Sequence, residues 1–116
     1  MHMDKNYKKQ LRAQFLENKP LMGVLTILNK AENKIYIAES MHLTALSNKI
    51  KFVLGSGQFD NKILQEDWNR LGKDNFVFEN AIVIPFEENK MIDYKKQILK
   101  TGNDLKKELS KTVILY

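Results

Sequence analysis

The side chains that could do chemistry in this sequence are few in kind. There are two histidines, four tyrosines, nineteen Lys and Arg, fourteen Asp and Glu, and no cysteine. The lack of cysteine excludes thiolate nucleophiles, thiolate metal sites and disulfides. His2 and His42 do not have the spacing of a metal-ligand pair. His42 falls in the first turn of a predicted helix, where an exposed histidine is ordinary. "GSG" at 55–57 has neither the spacing nor the preceding strand of a phosphate-binding loop. No nucleophile elbow is present. Trp68, Phe76 and Phe78 are the aromatic set with two uses: a core between helix and strand, or a platform for stacked bases.

The net charge of +5 permits contact with nucleic acid without requiring it. Only Arg12 and Arg70 are arginines, so the basic surface is made of lysine point charges rather than bidentate forks. Lysines cluster late in the chain, at 95, 96, 100, 106, 107 and 111. At 116 residues, 43% hydrophobic and 28% charged, the composition is that of one globular domain with a real core. No stretch approaches the ~20 apolar residues of a membrane span, and no signal-peptide pattern opens the chain. The expectation is a cytoplasmic protein with no membrane partner.

The elements that must position these side chains follow from apolar spacing. Tyr7, Leu11 and Phe15 predict a helix over 4–18, ended by Pro20 and carrying Lys5, Lys8, Lys9 and Arg12 outward. "MGVLTILNKAENKIYIAES" at 22–40 predicts an antiparallel hairpin. Val24, Thr26 and Leu28 share one face, and Leu25 and Ile27 share the other. Ile35 and Ile37 oppose Tyr36 and Ala38 in the same way. Neither face is polar throughout, so both should be covered.

Ser40 is the expected N-cap of a helix over 41–54, with Leu43, Leu46, Ile50, Val53 and Leu54 as its apolar stripe and Gly55 or Gly57 as its stop. Asp60 is expected to cap a second helix that turns Ile63, Leu64, Trp68 and Leu71 inward and ends at Gly72. A buried strand follows over 76–84. A last helix is expected over 88–100, broken by "TGND" at 101–104 and resuming over 105–109. The closing "TVILY" is β-prone and free to pair, pack or fray. The expected fold class is α+β, with a small three-stranded antiparallel sheet flanked by helices, in a single domain over 1–116.

The hairpin, the string "HLTALSNKIKF" and above all "NKILQEDWNRLGKDNFVFE" resemble the GIY-YIG nuclease family, over a core of about 21–100 with a C-terminal extension to 116. The resemblance implies a metal-dependent DNA endonuclease. In such a site two hairpin tyrosines and a helix arginine surround the scissile phosphate, and a glutamate holds one divalent metal. Carried over by position, the first tyrosine falls on Leu25, and the second survives as Tyr36, with its glycine replaced by Ala38. The arginine falls on Leu46, and a histidine one turn on falls on Ile50. Lys49 supplies a charge nearby. The metal glutamate falls within 95–102, "KKQILKTG", which has no carboxylate; Asp93 and Asp104 flank it.

Three readings follow. The first is a degenerate, non-catalytic GIY-YIG-like module with no cofactor. Its partner would be DNA, through Lys49, Lys51, Lys95 and Lys96, or a protein or small ligand at the apolar former active site. The second is a rearranged Mg- or Mn-dependent nuclease using Tyr36 and Lys49 with Asp93 or Glu79. The third is a structural or oligomerising domain.

Overall fold

The computed structural model describes residues 20–87 and 90–116, and the helix expected over 4–18 lies outside them. Strands β1 (Met22–Asn29) and β2 (Lys34–Ser40) form the hairpin, followed by helices α1 (Leu43–Ser56) and α2 (Lys62–Leu71). A 3-10 turn at Lys73–Asn75 leads into β3 (Phe76–Ile84). Helix α3 (Tyr94–Leu109) and the short β4 (Ile114–Leu115) complete the described chain. No helix among the described residues is long and apolar enough to cross a membrane.

The sheet has four strands in the order β3-β1-β2-β4, not the expected three. β1 pairs antiparallel with both β2 and β3, but β4 runs parallel to β2, with Ile114 opposite Lys34 and Leu115 opposite Ile35. "TVILY" therefore extends an edge. The sheet is mixed because the chain returns along α3 before reaching that edge, which reverses its direction.

The expected alternation of hairpin faces holds. Leu25 and Ile27 pack with Leu43, Ile50 and Leu54 of α1 and Leu64 of α2. Val24, Ile35 and Ile37 pack on the opposite face against Leu105 and Leu109 of α3. Met22 and Ile84 extend that second layer to Ile98. Residues 22–27 are all buried, so β1 is dry on both faces. Each such aliphatic side chain contributes roughly 1.5–3 kcal/mol of burial.

Several boundaries differ from expectation for local reasons. The N-cap of α1 is His42, whose Nδ1 accepts the Ala45 amide at 3.2 Å, while Ser40 Oγ accepts the His42 amide. Of the two candidate stops, Gly57 is the one in the left-handed conformation, at φ 79°. Asn61, not Asp60, caps α2, its Oδ1 accepting the Leu64 amide at 3.1 Å. Gly72 ends α2 as expected, its amide donating to the Trp68 carbonyl. Ile63, expected inward, is 59% exposed.

Two polar residues take the inward places on α2. Gln65 donates to the Leu54 carbonyl and accepts the Phe59 amide, joining the end of α1 to α2. Asp67, 5% exposed, accepts from the Tyr116 hydroxyl at 2.7 Å, Lys34 at 3.1 Å and Arg70 at 2.8 Å. Asn29, fully buried, donates to the Tyr116 oxygen and accepts the Ala31 and Glu32 amides that shape the hairpin turn.

Helix α3 begins at Tyr94, capped by Asp93, and runs unbroken through "TGND". Gly102 is the reason. A Cβ there would lie 2.1 Å from Glu39 Oε1 on β2, so the glycine marks a close crossing of helix over strand rather than a break. Lys106, one turn on, places its ammonium 3.4 Å from that buried carboxylate oxygen. Met91 and Leu99 are exposed, and Tyr94 and Ile98 carry the contact with Met22 and Ile84.

Gly23 meets a harder constraint. It sits at φ 148° where β1 meets β3, and an added Cβ would lie 2.0 Å from the Ile82 carbonyl oxygen. Gly23→Ala is therefore expected to cost about 3 kcal/mol or more, read as a fall in the urea midpoint. Asp67 gives a pH test. Burial opposes its ionisation, but hydrogen bonds from Tyr116, Arg70 and Lys34 outweigh that and lower its pKa from 3.8 to about 2. A carboxylate depressed in the folded state stabilises it above the unfolded pKa, and the gain is lost as pH falls through the folded value. Asp67→Asn is expected to cost about 2 kcal/mol at neutral pH, with the gap to wild type closing between about pH 4 and pH 2 in urea unfolding.

Candidate functional site

Helix α1 crosses the hairpin on its Leu25 and Ile27 face, fastened at its start by the Leu43 amide donating to the Leu21 carbonyl at 2.8 Å. Leu46, Lys49, Ile50 and Val53 recur at helical spacing and share a flank of α1. That flank, Tyr36 and Ala38 of β2, and Gln58, Phe59 and Asp60 of the α1–α2 connection line a cleft of about 390 Å³. Four of the positions that the resemblance singles out, 36, 38, 46 and 50, thus converge, together with Lys49.

Leu25 does not join them in the cleft. It pairs with Ala38 across the strands but is 1% exposed, within the core beneath α1. The surface it reaches is a depression of about 260 Å³ that also includes Thr44, Ser47 and Asn48 of α1. Ile50 is likewise buried, at 4% exposed, and belongs to the same core.

Tyr36 is half-buried, with its ring edge-on to Phe59 at 5.4 Å between centroids. Burial raises its pKa, and the negative charges of Asp60 and Glu39 raise it further. At neutral pH it is a neutral phenol, able to donate a hydrogen bond but not to serve as a ready phenolate base. Lys49 is exposed at the rim.

The carboxylates considered from sequence lie elsewhere. Asp93 is the N-cap of α3, its Oδ1 accepting the Lys96 amide at 3.1 Å. Asp104 is exposed on α3, and Glu79 is exposed on β3. None of the three lines the Tyr36 cleft. The whole 95–102 window belongs to α3, which packs on the sheet face opposite α1. The lysines are dispersed in the same way. Lys49 borders the cleft, Lys51 lies on the other flank of α1, and Lys95 and Lys96 are exposed in the first turn of α3.

The residues that sequence reasoning missed are Gln58, Phe59 and Asp60. Spacing along the sequence makes Asp60 the expected cap, and two adjacent cap formers cannot be ranked from sequence alone. Once Asn61 takes the cap, Asp60 is left to line the cleft.

No protein-family model matches this chain, and no curated protein matches it. Among solved structures it is similar to the catalytic domain of the homing endonuclease I-TevI. The TM-score is 0.64 at 24% sequence identity, over 78% of this chain and 90% of that one. A glutamate-to-alanine mutant of the catalytic domain of intron endonuclease I-TevI gives the same score and identity, over 78% of this chain and 84% of that one. The β-hairpin, the two helices after it and the strand that returns beside β1 therefore make up a GIY-YIG-like fold.

Proposed function

We propose that this GIY-YIG-like domain binds a partner without hydrolysing phosphodiesters, and that the partner class is nucleic acid. The lining of the cleft carries the reading. Ala38, Leu46, Val53 and Phe59 make one side of it apolar where phosphoryl chemistry needs fixed charge against the developing oxyanion. Lys49 is its one cation, a point charge without the bidentate geometry of an arginine. Tyr36 holds its proton more tightly than a free tyrosine, the wrong direction for a base.

The donor set does not fit Mg or Mn. The cleft offers one carboxylate, Asp60, and one ammonium, Lys49, whereas a hard cation is held by a ring of oxygens. Among the described residues no three of His, Asp and Glu gather as a metal site. Net charge and a fold similar to an endonuclease catalytic domain support nucleic acid as partner. An apolar cleft of this size would also suit a small ligand or a protein side chain.

A second reading has one observation in its favour. Asp60 lies in the same cleft as Tyr36 and Lys49, so a rearranged endonuclease would use these three rather than Asp93 or Glu79. Supercoiled plasmid incubated with Mg or Mn separates the two. The expected result is no nicking above a Tyr36→Phe control. Metal-dependent nicking that disappears in both Tyr36→Phe and Asp60→Asn would overturn the non-hydrolytic reading. The partner class is tested by mobility shift on DNA, expected to weaken as salt rises; no shift at low salt would sink it. Reinstating the family tyrosine by Leu25→Tyr is expected to cost about 1–3 kcal/mol in urea unfolding, because position 25 is now core.

A further inference from the structure

On the flank of α1 turned away from the cleft, a wider groove of about 750 Å³ runs between α1, α2 and β3. Its floor is aromatic: Trp68, Phe76 and Phe78, with ring centroids 5.2 Å apart for Trp68 and Phe76 and 6.2 Å for Trp68 and Phe78. Phe76 is buried, whereas Trp68 and Phe78 keep part of their surface open. Three lysines from three separate elements stand around this floor: Lys30 of the hairpin turn, Lys51 of α1 and Lys73 after α2. The Lys30 amide donates to the Asn75 carbonyl at 2.9 Å, which brings the hairpin turn beside the 3-10 turn and so Lys30 toward Lys73.

Lys51 Nζ lies 4.9 Å from the Phe78 ring centroid. Among the described residues none of these three lysines has a carboxylate within ion-pair distance, although Lys34, Arg70 and Lys106 all do. Asp74 is the one acid on the rim, so the groove carries a net charge of about +2. Toward Asn80 it continues through the shared Lys51 and Phe78 into the depression bearing Thr44, Ser47 and Asn48, which add hydroxyl and amide donors.

An aromatic floor with unpaired ammonium groups above it fits one ligand class well: a polyanion that carries flat apolar rings. We propose that this groove binds single-stranded nucleic acid, with a base stacked on Trp68 and phosphates held by Lys30, Lys51 and Lys73. Duplex fits less well because its bases are already stacked on each other. The proposal adopts the partner class put forward above but places the contact away from the cleft, with α1 between the two.

Trp68 is the only tryptophan in the chain, so its fluorescence reports on this groove alone. The experiment titrates the full chain with an oligo(dT) of roughly 12 nucleotides, the matching oligo(rU), and a duplex of equal length. Quenching of Trp68 by the single strands is expected. With three phosphate contacts, log Kobs should fall against log salt with a slope of about −2, so that a fourfold rise in salt weakens binding about fifteenfold.

The Lys51→Ala, Lys73→Ala double variant should reduce that slope to about −0.7. A charge-matched Lys100→Ala, Lys107→Ala variant, on the exposed side of α3, should leave it near the wild-type value. Three results would overturn the proposal: no change in Trp68 fluorescence, equal losses in the two double variants, or equal quenching by duplex. The two readings also fail separately. A mobility shift without Trp68 quenching removes the groove and keeps the partner class, whereas plasmid nicking removes the inert cleft and leaves the groove standing.

Discussion

A strand paired on both sides and covered on both faces has almost no place for a group that needs water, and β1 is such a strand. Its neighbours β2 and β3 take its backbone groups, α1 and α2 cover Leu25 and Ile27, and α3 covers Val24. Everything else in the described fold is arranged around keeping it dry. Gly23 lets β3 come close enough to pair at one end. Asn29 closes the other end by satisfying the amides of the hairpin turn from a fully buried position. Leu25, where the resemblance puts the family's first tyrosine, is in the middle of this strand. A leucine there is what the strand's burial favours.

Asp67 does for the periphery what β1 does for the centre. One buried carboxylate gathers Lys34 of the hairpin, Arg70 of its own helix and Tyr116 at the C-terminal end, and Tyr116 in turn is held by Asn29. Glu32, from the hairpin turn, completes the ring by pairing with Arg70. A lone buried carboxylate would be strongly unfavourable, but three donors that fix three different segments make it a tie instead. The same tie keeps β4 against β2, and so accounts for a fourth strand in the sheet.

Helix α1 divides the surface into two concavities of different chemistry. One flank presents Leu46, Ile50 and Val53 to an apolar cleft with a tyrosine, a lysine and an aspartate at its margin. The other presents Lys51 to an aromatic floor ringed by lysines. A single helix can do both because residues 50 and 51 lie about 100° apart around its axis. The sparse charge of the cleft therefore says nothing about charge across the helix.

The sequence by itself determined the elements whose signals are local. The period-2 runs of the hairpin, the period-3.6 stripe of α1, the strand at 76–84 and the GIY-YIG-like resemblance were all legible, although that strand is a sheet edge with most of its side chains exposed rather than the buried strand expected. So were the residues at 25, 38, 46 and 50, since residue identity needs no coordinates. Only the tertiary structure decided that "TGND" continues a helix, because the reason is Glu39, sixty-three residues earlier, pressed against Gly102. It alone decided that Asp67 points inward, because the three groups that make this tolerable come from positions 34, 70 and 116. It also assigned Asp60 to the cleft and gathered Lys30, Lys51 and Lys73 around one aromatic floor. Spacing along the chain reports which face of its own element a residue occupies. Which other elements meet that face depends on how they pack, and the chemistry of both concavities arises there.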